Sequence, residues 1–110
     1  MSRILVVDDQ EFPRQAIADL IDHEFSVVAA TAASAAEALT KLNEESFDLV
    51  ITDLKMDGMD GIGLLQKIRD DHPGTEVILV TGYGSIEDAV EAMRIGASDF
   101  VVKDGLSKVL

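Results

Sequence analysis

The chain has 110 residues, 47% of them hydrophobic and only 5% aromatic, so it reads as one folded domain with an aliphatic core. Its 21 acidic and 9 basic side chains give a formal net charge of −12, which would repel a polyphosphate and argues against direct nucleic-acid binding. The absence of cysteine removes disulfides and thiolate metal sites, and with neither a membrane-spanning run nor a signal peptide in view, a soluble cytoplasmic protein without membrane contact is expected.

Short apolar runs alternate with helical patterns, the arrangement of a parallel sheet with helices on both faces. The first strand is expected over residues 4–7, Ile-Leu-Val-Val. A helix follows with Pro13 near its first turn, a position that proline favours. Its buried stripe runs through Ile17, Leu20, Ile21 and Phe25 at steps of three and four. A weaker second strand is placed over residues 26–30. Ser34 and Glu37 form a capping-box signature ahead of a helix carrying Ala38, Leu39 and Leu42.

The third strand, residues 49–52, is apolar enough to be covered on both faces. A loop containing Asp57-Gly58-Met59-Asp60-Gly61 leads into a helix with Leu64, Leu65 and Ile68 facing inward. Pro73-Gly74 marks the turn into a fourth strand over residues 77–80. Ser85 and Asp88 cap the next helix, whose stripe is read as Ile86, Ala89, Val90 and Met93, with Gly96 terminating it. The fifth strand runs through residues 100–102. Seven residues follow Lys103, so the final helix is expected to be short or missing, although Leu106, Val109 and Leu110 have the spacing of a first turn.

Five polar residues stand at the ends of these runs: Asp8 and Asp9, Asp53, Thr81 and Lys103. In open α/β sheets, ligands bind outside the carboxyl ends of the strands, near the point where strand order reverses. Three carboxylates there suit a hard divalent cation such as magnesium, which takes oxygen ligands and needs no histidine or cysteine. The cation would relieve their repulsion and leave Asp53 as a nucleophile able to accept a phosphoryl group. Negative charge on the transferring group needs positioned cations and donors, and Lys103 and Thr81 supply an ammonium and a hydroxyl. Each residue alone has a plainer role: aspartates often cap helices or turn loops, Thr81 could simply end a strand, and Lys103 could be a surface lysine. Capping alone does not place five suitable groups at four strand ends. His23 and His72 lack ligand-like neighbours and are read as exposed.

Val6-Val7-Asp8-Asp9, Asp53-Leu54-Lys55-Met56, Met59-Asp60-Gly61, Thr81-Gly82-Tyr83-Gly84 and Gly96-Ala97-Ser98-Asp99-Phe100 together resemble the receiver domain of two-component response regulators. The likeness spans nearly the whole chain and is greatest to receivers of the nitrogen-regulatory, sigma-54 activator type. It implies a flavodoxin-like, doubly wound five-stranded parallel sheet in strand order 2-1-3-4-5, one receiver domain over residues 1–110 shortened at its C-terminal helix. It implies a phosphorylation-activated signalling switch that takes its phosphoryl group from a sensor histidine kinase or a phosphotransfer protein. Its only catalysis would be its own phosphorylation and dephosphorylation.

By the same resemblance Asp53 is the phosphoacceptor, assisted by Lys103 and Thr81. Mg2+ (or Mn2+) is held by Asp53, by Asp9 directly, by Asp8 mostly through water, and by the Lys55 backbone carbonyl. Thr81 and Phe100 form the switch pair, the Lys55 and Tyr83 side chains tune the lifetime of the phosphorylated state, and Gly82 leaves room for the phosphoryl group.

Three departures stand out. Asp57 and Asp104 occupy positions where the family usually has proline, and the end is short. They support an alternative, a pseudo-receiver that binds partners without phosphorylation. A second alternative, an aspartate-nucleophile phosphohydrolase, is opposed by Lys55 standing where such enzymes carry a second aspartate. Less covered apolar surface beside the first and last strands favours self-association as a homodimer.

Overall fold

Four consecutive aliphatic residues with no exposed face form β1 (Ile4–Val7), an inner strand of the sheet. The computed structural model describes residues 3–82 and 85–102. After β1 come α1 (Glu11–Phe25), β2 (Ala30–Ala32), α2 (Ala35–Glu44), β3 (Leu49–Asp53), α3 (Gly61–Asp71), β4 (Glu76–Thr81), α4 (Ile86–Ile95) and β5 (Asp99–Val102). Every ladder is parallel, and the strands lie in the order β2-β1-β3-β4-β5. This is the flavodoxin-like five-stranded α/β architecture. Strand order reverses between β1 and β3, so their carboxyl ends flank a crevice. Tyr83, Lys103 and the expected final turn with Leu106, Val109 and Leu110 lie outside the described residues.

Alternation along the strands divides the core in two. Leu5, Val7, Val50, Val77 and Leu79 face α2 and α3, where they meet Leu64, Leu65 and Ile68. Ile4, Val6 and Ile51 face α1 and meet Ala18 and Ile21. The α3 trio is wholly buried, and burying each such side chain stabilises the fold by about 1.5–3 kcal/mol. Among the described residues no helix is long and apolar enough to cross a membrane.

The helix starts follow from their caps. Ser34 Oγ accepts from the Glu37 N–H at 3.0 Å, and the Glu37 carboxylate accepts in return from the Ala33 N–H at 2.8 Å. Asp60 and Ser85 cap α3 and α4 through the N–H groups of Gly63 and Asp88. At the end of α4, Gly96 takes φ 123°, and a side chain there would also press on Arg69 Cδ.

Four readings from sequence change. β2 begins at Ala30 and not at residue 26, because Ser26 closes α1 in a left-handed conformation (φ 54°) and the chain then needs residues 27–29 to reach the edge of β1. Phe25 is 69% exposed. On α4 the inward face is Ala89, Ala92 and Ile95, while Ile86, Val90 and Met93 are exposed. The bulky residues suggested the wrong stripe; the helix approaches the sheet closely through alanine. His72, the C-cap residue of α3, is half-buried rather than exposed.

Candidate functional site

Strand register assembles the site. Val7 pairs with Thr52, so Asp8 and Asp53 are the next residues on neighbouring parallel strands. Asp53 pairs with Val80, which places Thr81 one residue further along β4. Asp8, Asp53 and Thr81 therefore reach the same carboxyl edge, with Asp8 and Thr81 buried and Asp53 half-buried. Ligand oxygens of Asp8, Asp9 and Asp53 lie within 4.8 Å of one another.

Each carboxylate is oriented by a backbone N–H. Asp8 Oδ1 accepts from Gln10 at 3.0 Å, Asp53 Oδ1 from Leu54 at 3.0 Å, and Asp9 Oδ2 from Asp57 at 3.0 Å. The first two donors are local, whereas the third reaches across from the β3–α3 loop. Arg14 adds a hydrogen bond from Nη1 to the Asp8 carbonyl at 2.9 Å, which ties α1 to the start of the acidic loop.

Three negative groups this close repel. Two unit charges about 4 Å apart cost roughly 1 kcal/mol in water and about 4 kcal/mol near a protein surface. Amide donors offset part of that cost, but they carry only partial charge. A divalent cation with oxygen ligands offsets it fully, and the donor set, all carboxylate, fits a hard ion. The cluster is therefore capable of holding a divalent metal. A separate groove, formed by Gln66, Ile86, Val90 and Arg94, lies along α3 and α4.

Of the residues singled out from sequence, Asp8, Asp9, Asp53 and Thr81 converge on this edge. Lys55 lies in the loop two residues after Asp53, with its side chain exposed. Phe100 lies behind the edge on β5, half-buried against the larger core cluster. Lys103 falls outside the described residues. Sequence reasoning did not identify a role for Gly61. A Cβ there would stand 2.3 Å from the Asp53 carbonyl oxygen, 2.8 Å from Leu79 Cδ2 and 3.0 Å from Leu54 Cα. Its N–H donates to the Leu54 carbonyl at 2.9 Å, so α3 starts tight against the end of β3. The sequence signal was the glycine directly after the capping Asp60. The hydrogen bond from Asp57 to Asp9 was also missed, and no local pattern announces it.

Comparison with known proteins agrees with this geometry. Residues 4–110 match the family described as the response regulator receiver domain. The chain is 45% identical over 105 residues to the response regulator protein FleR of Pseudomonas aeruginosa, covering 93% of this chain and 21% of that protein. It thus spans about a fifth of the length of the curated relatives it matches. The crystal structure of the receiver domain of NtrX from Brucella abortus superposes with a TM-score of 0.85 at 38% identity, covering 96% of this chain and 92% of that one. A response regulator protein from Burkholderia pseudomallei, crystallised with a phosphorylated aspartic acid, calcium ion and citrate, superposes with a TM-score of 0.86 at 28% identity, covering 94% and 60%.

Proposed function

Because this chain belongs to the response regulator receiver domain family, related to the sigma-54-associated regulators, we propose that Asp53 accepts a phosphoryl group in a reaction that requires a divalent cation. The observation that carries this reading is the meeting of three carboxylates at the point where strand order reverses. The donor is a sensor histidine kinase or a phosphotransfer protein. An Asp53 carboxylate oxygen forms a bond to phosphorus as the donor's phosphorus–nitrogen bond breaks, and the released imidazole takes up a proton. A mixed anhydride remains on Asp53.

Asp8, Asp9 and Asp53, with the Lys55 carbonyl, are the groups to hold the cation. Magnesium or manganese suits them, because hard ions prefer oxygen ligands and keep several waters. When bound, the cation supplies positive charge to the equatorial oxygens of the transferring group. The Thr81 hydroxyl and the Lys103 ammonium are the chain's own contribution to that charge. Asp53 also keeps its orientation through the Leu54 N–H. Once Asp53 is modified, Thr81 and Phe100 transmit the change to α4 and β5, with Lys55 and Tyr83 setting how long the state lasts.

Intact-mass measurement after treatment with acetyl phosphate and Mg2+ tests the proposal. One phosphoryl group per chain, lost when the cation is chelated before treatment, is the expected result. No uptake, or uptake indifferent to the cation, would overturn it.

A further inference from the structure

Resting on that reading of the acidic cluster, we infer that the backbone N–H of Asp57 is a positioning group for the Asp9 carboxylate, holding it in place for the cation. Asp8 and Asp53 each accept an N–H from one or two residues away. Asp9 accepts its N–H at 3.0 Å from a residue 48 positions away. That bond joins the loop after β1 to the loop after β3 across the cluster.

A carboxylate has about four lone-pair sites, so accepting one N–H leaves capacity for a cation. The donor also places a partial positive charge against one of three mutually repelling groups. Both effects pre-form the ligand set, and binding to a pre-formed set loses less freedom. Only a residue with an amide hydrogen serves here. Proline, the usual residue in the pattern this loop resembles, carries none. The departure at position 57 thus adds two separable things: an exposed side-chain charge and a backbone donor.

Two substitutions separate them. Asp57→Ala removes the charge and keeps the donor; Asp57→Pro removes both. Calorimetric titration with Mg2+ is expected to give the alanine variant an affinity within about threefold of the parent. The proline variant should bind about tenfold more weakly than the alanine variant, the worth of one hydrogen bond to a charged group. The proline variant should also melt lower without metal, because the bond is present before the ion binds; the drop in Mg2+ affinity is the readout that a merely structural role would not move. Equal affinities, or tighter binding by the proline variant, would overturn the inference.

Should the proline variant not fold, amide hydrogen exchange decides. The Asp57 N–H should exchange about tenfold faster in Asp9→Ala than in the parent, and an unchanged rate would refute the contact. If the parent itself binds no Mg2+, the reading of the cluster as a cation site fails, and the positioning role falls with it.

Discussion

Thr81 and Phe100 lie on adjacent parallel strands and on the same face of the sheet: Phe100 pairs with Leu79, and Thr81 is two residues further along β4. Thr81 is buried at the carboxyl edge, and Phe100 packs half-buried against the larger core. A shift of the Thr81 side chain toward Asp53 therefore changes the space on the face where the ring sits. Packed interiors respond to such a change by repacking, because they hold few voids.

Beryllium fluoride, standing in for the phosphoryl group on Asp53, should thus alter amide chemical shifts beyond the cluster, along β5 and α4. In Thr81→Ala the changes near Asp53 should persist while those at Phe100 and α4 shrink. Shifts confined to the acidic loops in the parent would contradict coupling through this pair.

Mg2+ should stabilise the fold, since the carboxylates are brought together only when the strands pair. At a hundredfold excess over the dissociation constant, linkage gives roughly 2.7 kcal/mol. Asp9→Ala should lose most of that gain and Asp57→Ala should keep it, as read by thermal melting with and without the ion. A melting temperature insensitive to Mg2+ in the parent would count against a cation site.

Asp53→Asn should abolish phosphoryl uptake and at the same time raise metal-free stability by on the order of 1 kcal/mol, the scale of one relieved charge contact. The amide oxygen can still accept from the Leu54 N–H, so the loop geometry is retained. Chemical denaturation of the metal-free proteins measures the second effect. A less stable Asn variant would mean that the three carboxylates do not strain one another.

Gly61→Ala should destabilise by about 1–3 kcal/mol, because the added methyl meets backbone and a buried leucine rather than a yielding chain end. It should also weaken Mg2+ binding, since relief requires the Asp53 carbonyl to move. Gly74→Ala is the control, with nothing within 4 Å of its added carbon. Equal stability of the two variants in urea would show that the close approach at Gly61 is unimportant.

The face of α4 can be tested by opposite changes in size. Ala92→Val, at a position with no exposure, should cost about 1–3 kcal/mol through overpacking. Val90→Ala, at a position 47% exposed, should change stability by less than about 0.5 kcal/mol. The reverse ranking would restore the stripe first read from the sequence.

Much of the site was legible because its residues are punctuation. Asp8 and Thr81 follow directly on an aliphatic run and Asp53 follows one with only Thr52 between, and a parallel sheet brings such ends to one edge whatever the connecting helices contain. The caps at Ser34 and Ser85 were legible for a similar reason, since each bond spans three residues. The α4 face was not, because two apolar rows on one helix differ only in side-chain size, and the closeness of the approach decides between them.

Chain order and local pattern determined by themselves that five strands alternate with helices and that carboxylates cap the strand ends. The tertiary structure alone decided how closely those carboxylates meet and which backbone groups hold them. The pairing of Val7 with Thr52 sets Asp8 beside Asp53, and the same register brings the Asp57 N–H to Asp9 and the Gly61 backbone against the end of β3. Those contacts depend on a relative displacement of strands, which is set by packing over the whole sheet and leaves no trace in the spacing of the residues that make them.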